Sequence, residues 1–179
     1  MKRTSRFWLL PLIVALIMMS DSAMAHEGHF EKMGVSLPKI KRGAPNFNLK
    51  NLAGDSVALN SFQGKTILLN FWATWCLPCR EELPSMQRMY EKLGSSGIEV
   101  VAVSIDRGNP RKVKKYIDQY NLTFPILLDP GQKVRKSYFI MGLPTSYLIG
   151  PDGYLRGFIS GAREWDSPAS IEMFSALIN

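Results

Sequence analysis

The stretch TILLNFWATWCLPCREELP, Thr66 to Pro84, constrains this chain more than any other. Its first seven residues, Thr66 to Trp72, form an apolar run of strand length, consistent with a buried central strand. Beyond it Leu83, Met86, Met89, Tyr90 and Leu93 recur at spacings of three and four, the apolar stripe of a helix that ends near Gly94. The chain's two cysteines, Cys76 and Cys79, therefore sit where a strand turns into a helix. Ile98 to Ile105 supplies the next strand, and Asn109-Pro110 opens a second helix with Val113, Tyr116, Ile117 and Tyr120 on one face. Two buried strands joined by a helix imply a parallel pair with a right-handed crossover.

The remaining segments extend that unit. NFNLKNLAGDSVALNSFQGK alternates apolar and polar residues around Ala53-Gly54-Asp55 and predicts a small hairpin ahead of the first buried strand. PILLD reads as a short strand, Gln132 to Phe139 as a short helix, and TSYLI and YLRGFI as two strands. Between those two lies Gly150-Pro151-Asp152-Gly153, with proline second and glycine fourth as in a type I turn, so they form an antiparallel hairpin. Asp166 or Ser167 caps a final helix with Pro168 at its first position, and Ile171, Phe174, Ala176, Leu177 and Ile178 give it an apolar side. The predicted class is α/β, a central mixed sheet flanked by helices, in one domain over residues 44–179.

Residues 1–25 stand apart from that domain. Lys2, Arg3 and Arg6 precede an apolar run from Phe7 to Met19, shorter than the ~20 residues of a bilayer span. Ala23 and Ala25 are the small residues that a signal peptidase prefers. We read a secretory signal peptide cleaved before His26, with an uncleaved membrane anchor as the alternative; either places the domain in the periplasm or another extracytoplasmic space. Residues 26–43, HEGHFEKMGVSLPKIKRG, are polar and weakly patterned and predict a flexible lead-in. The net charge is +7, of which Lys2, Arg3, Arg6 and Asp21 contribute +2, leaving +5 for the remainder. That mild basicity comes with no Lys/Arg run interleaved with aromatics, which argues against nucleic acid as a partner.

An exported protein lives where disulfides persist, so its two cysteines are expected to be bonded. Their spacing argues against a staple, because a disulfide stabilises more as the loop it closes grows, and two intervening residues close almost none. Redox exchange fits better. At the start of a helix the unsatisfied N–H groups favour a thiolate at Cys76, and Pro78, which lacks an N–H, suits the first turn. Cys79 lies one turn further along the same face, positioned to attack any mixed disulfide that Cys76 forms. Cys76 is the candidate nucleophile and Cys79 the candidate resolving thiol, and the exchange calls for no cofactor beyond the pair. A zinc site would need two more ligands, whereas the two histidines, His26 and His29, lie near the predicted mature N-terminus. A copper-binding module drawing on the thiols with Met141 or His26 is a reading of a different class.

The same stretch resembles a known family. Trp75-Cys76-Leu77-Pro78-Cys79 after a buried strand is similar to the thioredoxin superfamily, and NFWATWCLPCREELP resembles its exported TlpA/ResA-like branch, which includes the cytochrome c maturation thioredoxins. Further features agree in order from about Ala44 to Ala176. Ala44-Pro45-Asn46-Phe47 with Gly64-Lys65 resembles the branch's N-terminal hairpin, Pro84 its kinking helix proline, and Gly142-Leu143-Pro144-Thr145 its cis-proline loop. The resemblance implies a thioredoxin fold with an N-terminal β-hairpin extension. It also implies a cis Pro144 packed against the Cys pair, Leu143 hydrogen-bonding the substrate's extended chain, and Trp75, Leu143, Pro144 and Thr145 as substrate-binding residues. Trp72 and Leu77 would extend the apolar rim, although core packing explains Trp72 equally well. It further implies a monomeric reductase, recharged by a membrane electron donor of the thiol-reducing type and acting on exported proteins such as apocytochrome c or a copper-site assembly protein. A peroxiredoxin-like peroxidase shares the fold and an APNFNL-like segment, but the expected Pro-x-x-x-Thr-x-x-Cys setting is absent.

One residue departs from the superfamily pattern. Asn70 stands where thioredoxin carries a buried Asp that helps to move the resolving cysteine's proton. Asn cannot ionise, so another group must act. Water or another carboxylate must serve, with Glu81, Glu82 and Asp106 as the candidates; the glutamates read most simply as helix-surface charges, and Asp106, at the carboxyl end of a strand, is the better-placed acceptor, with Glu81 behind it. The direction of electron flow stays open, since proteins with this motif span about −270 to about −120 mV, about 7 kcal/mol of preference.

Overall fold

The computed structural model describes residues 28–178; the predicted signal peptide and His26 lie outside them. β3 (Thr66–Trp72) is buried at all seven positions, which is why its sequence shows no alternation. It pairs in parallel with β4 (Ile98–Ser104) on one side, Leu69 opposite Val101, and antiparallel with β6 (Thr145–Ile149) on the other, Leu69 opposite Tyr147. The helix between the parallel strands, α1 (Leu77–Leu93), buries Leu83, Met86, Met89 and Leu93 along the predicted stripe. Pro84 lies inside it and withholds one N–H from the helical ladder.

The sheet has seven strands in the order β2-β1-β5-β4-β3-β6-β7. β1 (Asn48–Asn51) and β2 (Ser56–Ala58) form the predicted hairpin and add to the sheet through β5 (Ile126–Leu128), antiparallel to β1 and parallel to β4. α2 (Arg111–Gln119) joins β4 to β5, and the short α3 (Lys133–Ser137) joins β5 to β6. β6 and β7 (Leu155–Ser160) make the antiparallel hairpin, and α4 (Pro168–Ile178) closes the chain. Of the two candidate caps for α4, Ser167 is the one used: its Oγ accepts from the Ser170 N–H at 3.3 Å, whereas Asp166 faces the Arg88 guanidinium. Among the described residues no helix is long and apolar enough to cross a membrane.

The segment read as a loose lead-in is built into the sheet edge from residue 28 onward. Residues 28–32 are helical, and Met33 is buried in the core. Ser36 exchanges two backbone hydrogen bonds with Phe158, at 2.8 and 3.0 Å, and further along the Leu155 N–H donates to Arg42 O and the Ala44 N–H to Gly153 O. The reason is that β7 would otherwise be a bare edge, with a row of unpaired N–H and C=O groups. Two isolated bridges, Ser36 to Phe158 and Gly43 to Tyr154, need no alternation of apolar and polar residues, so the sequence carries no strand pattern there. Gly157 permits the approach: a Cβ at that position would lie 2.3 Å from Val35 Cγ1 and 3.1 Å from the Ser36 carbonyl oxygen.

Gly157→Ala therefore forces the covering segment off β7. We expect a loss of about 1–3 kcal/mol in urea unfolding, with faster amide exchange at Ser36 and Phe158. Unchanged exchange at both amides would show that the segment does not need this close approach.

Candidate active site

The end of β3 delivers the cysteines. Trp72 closes the strand in the core, fully buried, and the chain turns through Ala73 and Thr74 to Trp75, which is 68% exposed. The two tryptophans thus have different surroundings, one packing the strand and one facing solvent. Cys76 is the N-cap of α1 and is bonded to Cys79 three residues on. Its Sγ accepts the Cys79 N–H at 3.3 Å, so a helix-end donor points at this sulfur. Cys76 keeps 7% of its surface accessible and Cys79 none. Only Cys76 can meet another molecule without opening the fold.

β6 brings the second predicted element to the same place. Thr145 pairs with Phe71, so the residues before Thr145 lie past the end of β3, where the cysteine loop begins. The Leu143–Pro144 peptide bond is cis, and the Thr145 hydroxyl donates to Gly142 O at 2.9 Å. Leu143, half-buried, makes no backbone hydrogen bond among the described residues, which leaves its N–H and C=O open to an extended chain. Leu77 and Met141 are exposed, at 55% and 91%.

The carboxylates are arranged differently from the sequence reading. Asp106 accepts from the Thr74 N–H at 2.9 Å, the Thr74 hydroxyl at 2.6 Å and the Ser104 hydroxyl at 2.9 Å. Those three donors make it the anchor of the turn that precedes Trp75. Glu81 is exposed on the helix surface. Glu82, read as a second surface charge, is instead 2% exposed and lies one turn after Cys79 on the same face of α1.

Glu82 sits in a polar nest drawn from three distant elements. Asn70 Nδ2 donates to its Oε1 at 2.8 Å and also to Ser146 Oγ at 2.9 Å. The Arg163 N–H and the Trp165 indole N–H donate to its Oε2 at 3.1 and 3.0 Å. Burial pushes the carboxyl up to about 7 even though these hydrogen bonds and the nearby Arg163 charge all favour the ionised form. Asn70 is therefore part of the acid's own cradle. The i,i+3 spacing of Cys79 and Glu82 is the signal that points to this residue; the partners Arg163 and Trp165 leave none near the motif. Of the groups at the predicted N-terminus, His29 Nδ1 lies 3.7 Å from Glu172 on α4 and Met33 is in the core.

A family model described as AhpC/TSA family matches residues 40–158, more than half of the chain. The chain belongs to the AhpC/TSA family. Relatives of this AhpC/TSA chain include the thiol-disulfide oxidoreductase ResA of Bacillus cereus, 37% identical over 155 residues and covering 86% of this chain and 88% of that one. ResA of Bacillus thuringiensis subsp. konkukian is 40% identical over 139 residues, 76% of this chain and 77% of the other. Among solved structures, a thiol:disulfide interchange protein DsbE from Chlorobium tepidum superposes with a TM-score of 0.72 at 33% identity, covering 80% of this chain and 100% of its own. StoA from Bacillus subtilis gives 0.62 at 28% identity, with 77% and 99% covered. The fold is that of the thioredoxin superfamily, and a Cys-x-x-Cys disulfide at a helix start in this company is the centre of a thiol-disulfide oxidoreductase.

Glu82 makes stability depend on pH. Below its ordinary 4.5 the carboxyl is protonated folded and unfolded alike; between 4.5 and about 7 the unfolded chain ionises first, so stability falls. Above 7 the loss is complete, on the order of 3 kcal/mol for the oxidised protein. Urea unfolding from pH 4.5 to 8 checks this: Glu82→Gln should lack that slope, and equal slopes would mean that the carboxyl titrates normally.

Proposed function

We propose that the protein is an exported reductase of disulfides in particular extracytoplasmic proteins, apocytochrome c or copper-site assembly proteins among them. The observation that carries this reading is the inequality of the two sulfurs, Cys76 reachable and served by the Cys79 N–H, Cys79 fully buried. In the reduced protein the Cys76 thiolate attacks one sulfur of the substrate disulfide, and the other substrate sulfur leaves and takes up a proton. Cys79 then gives its proton to Glu82, and its thiolate attacks Cys76 Sγ, releasing the second substrate thiolate, which takes up the proton that Glu82 gives back. The substrate disulfide gains two electrons and two protons in all, and the Cys76–Cys79 disulfide forms. A membrane electron donor of the thiol-reducing type restores the dithiol, and no cofactor takes part.

Two features support the reducing direction. A carboxyl with an affinity for protons near neutrality suits a group that accepts and returns one in each cycle. When ionised it also places a negative charge a turn away from Cys79, which disfavours a thiolate there. A dithiol with poorly stabilised thiolates gives up its electrons more readily than one, such as that of DsbA, whose reduced form is stabilised. The cationic and apolar leader at residues 1–25 supports export, and the open backbone of Leu143 supports an extended polypeptide as the substrate.

Cys76→Ser should abolish disulfide reduction, whereas Cys79→Ser should accumulate a mixed disulfide at Cys76 that mass spectrometry identifies. Equilibration with glutathione or dithiothreitol should place the pair well below about −120 mV, the value of a strong oxidant. A potential near that value would assign the opposite direction. Rapid turnover of hydrogen peroxide would assign a peroxidase.

A further inference from the structure

Beside Trp75 the surface opens into a notch of about 360 Å³ whose lining includes Thr74, Trp75, Asp106, Arg107, Lys112 and Gln132. We propose that this notch reads a carboxylate on the substrate, and that Arg107 and Lys112 select disulfides flanked by an acidic residue. The inference rests on the disulfide-exchange reading and adds the chemistry by which a substrate is chosen.

Position comes first. Trp75 is the residue before the reachable sulfur and stands 68% exposed at the notch wall. The notch therefore adjoins, through Trp75, the sulfur at which a substrate disulfide must be attacked. The volume holds several waters at about 30 Å³ each, room for an acidic side chain.

Charge comes second. Lys65, Arg88, Lys114 and Arg156 each meet an acid of this chain. Arg107 and Lys112, both exposed, make no side-chain hydrogen bond or ion pair among the described residues. The one carboxylate in the notch, Asp106, is held by Thr74 and Ser104 and meets neither cation. The notch therefore carries a net charge of +1, with both of its cations unpaired. Single surface cations are ordinary solvated groups. Two of them lining one concavity that also includes the neighbour of the reacting cysteine focus the field at that opening.

The two cations face a substrate carboxylate without an internal competitor, so the expected preference is about five- to tenfold in kcat/KM. The test uses the reduced protein and disulfide-linked peptides of one sequence in which Glu, Gln or Lys stands on either side of the cysteine. On one side at least, the Glu peptide should be reduced about five- to tenfold faster than the Gln peptide, with Lys slowest. Raising the ionic strength from about 0.01 to about 1 M, which cuts the screening length from about 30 to about 3 Å, should remove the difference. The double variant Arg107→Gln, Lys112→Gln should bring the Glu/Gln ratio to about one, whereas Lys114→Gln, which also removes a charge but lies outside the notch, should keep it. Equal rates for Glu and Gln peptides in the unaltered protein, or a preference that survives the double variant, would overturn the proposal. Failure to reduce any peptide would instead sink the disulfide-exchange reading, and the subsite with it.

Discussion

β3 is bonded to β4 along all seven residues and to β6 along five, and this two-sided pairing fixes where the chemistry can be. A strand held on both sides and buried on both faces cannot slide by one residue, because a slip would reverse every side chain. The loop that leaves Trp72 therefore starts from a fixed point. Asp106 pins the loop a second time, through the Thr74 N–H and hydroxyl, so that between the two anchored ends Trp75 stands exposed and Cys76 keeps a small accessible edge. The cis-proline loop is located by the same strand, through β6. Scaffold rigidity and sulfur placement are one property here.

The same strand supports a buried acid at a real energetic cost. Glu82 is satisfied by Asn70 from β3 and by Arg163 and Trp165 from the segment after β7, and its burial still outweighs them. A carboxyl that serves only stability would be better replaced by an apolar side chain. Its retention beneath the resolving cysteine makes sense if the proton is used. Asn70 suits this arrangement better than a second carboxylate would, since two acids at hydrogen-bond distance could not both ionise. Its amide donates to the ionised Glu82, and its Oδ1, without a partner in the nest, offers an acceptor if the amide turns when the acid is protonated.

What the sequence disclosed follows from the range of the interactions. Buried strands, the apolar stripe of α1, the capped start of α4 and the turn at residues 150–153 are written in neighbouring residues, so periodicity and turn chemistry were enough. The position of the cysteine pair was legible for the same reason, since strand, cysteine and helix are contiguous. The burial of Glu82, one of the three candidate acceptors, was not, because a charged residue on a helix reads as surface unless a covering segment is known, and that segment begins about eighty residues later in the chain at Arg163. Asp106 was correctly placed at the end of a strand, yet its hydrogen bonds to Thr74 and Ser104 are a fact of local geometry that composition does not carry. The order of residues 28–43 was not legible because backbone pairing with β7 leaves no imprint on side-chain pattern.

The site thus combines opposite charges without cancelling them, because they lie in different media. Glu82 is buried one turn from Cys79, where an effective dielectric constant well below that of water lets a single charge weigh on a thiol. Arg107 and Lys112 are exposed, so their field reaches solvent but is screened within about 10 Å at moderate salt. The cations can bias which molecule arrives, and by how much depends on the salt. On the proposed reading the acid takes the second thiol's proton once a partner is attached, a step that salt barely touches. Selection at encounter and control of resolution then belong to separate groups, so either can change by substitution without altering the other.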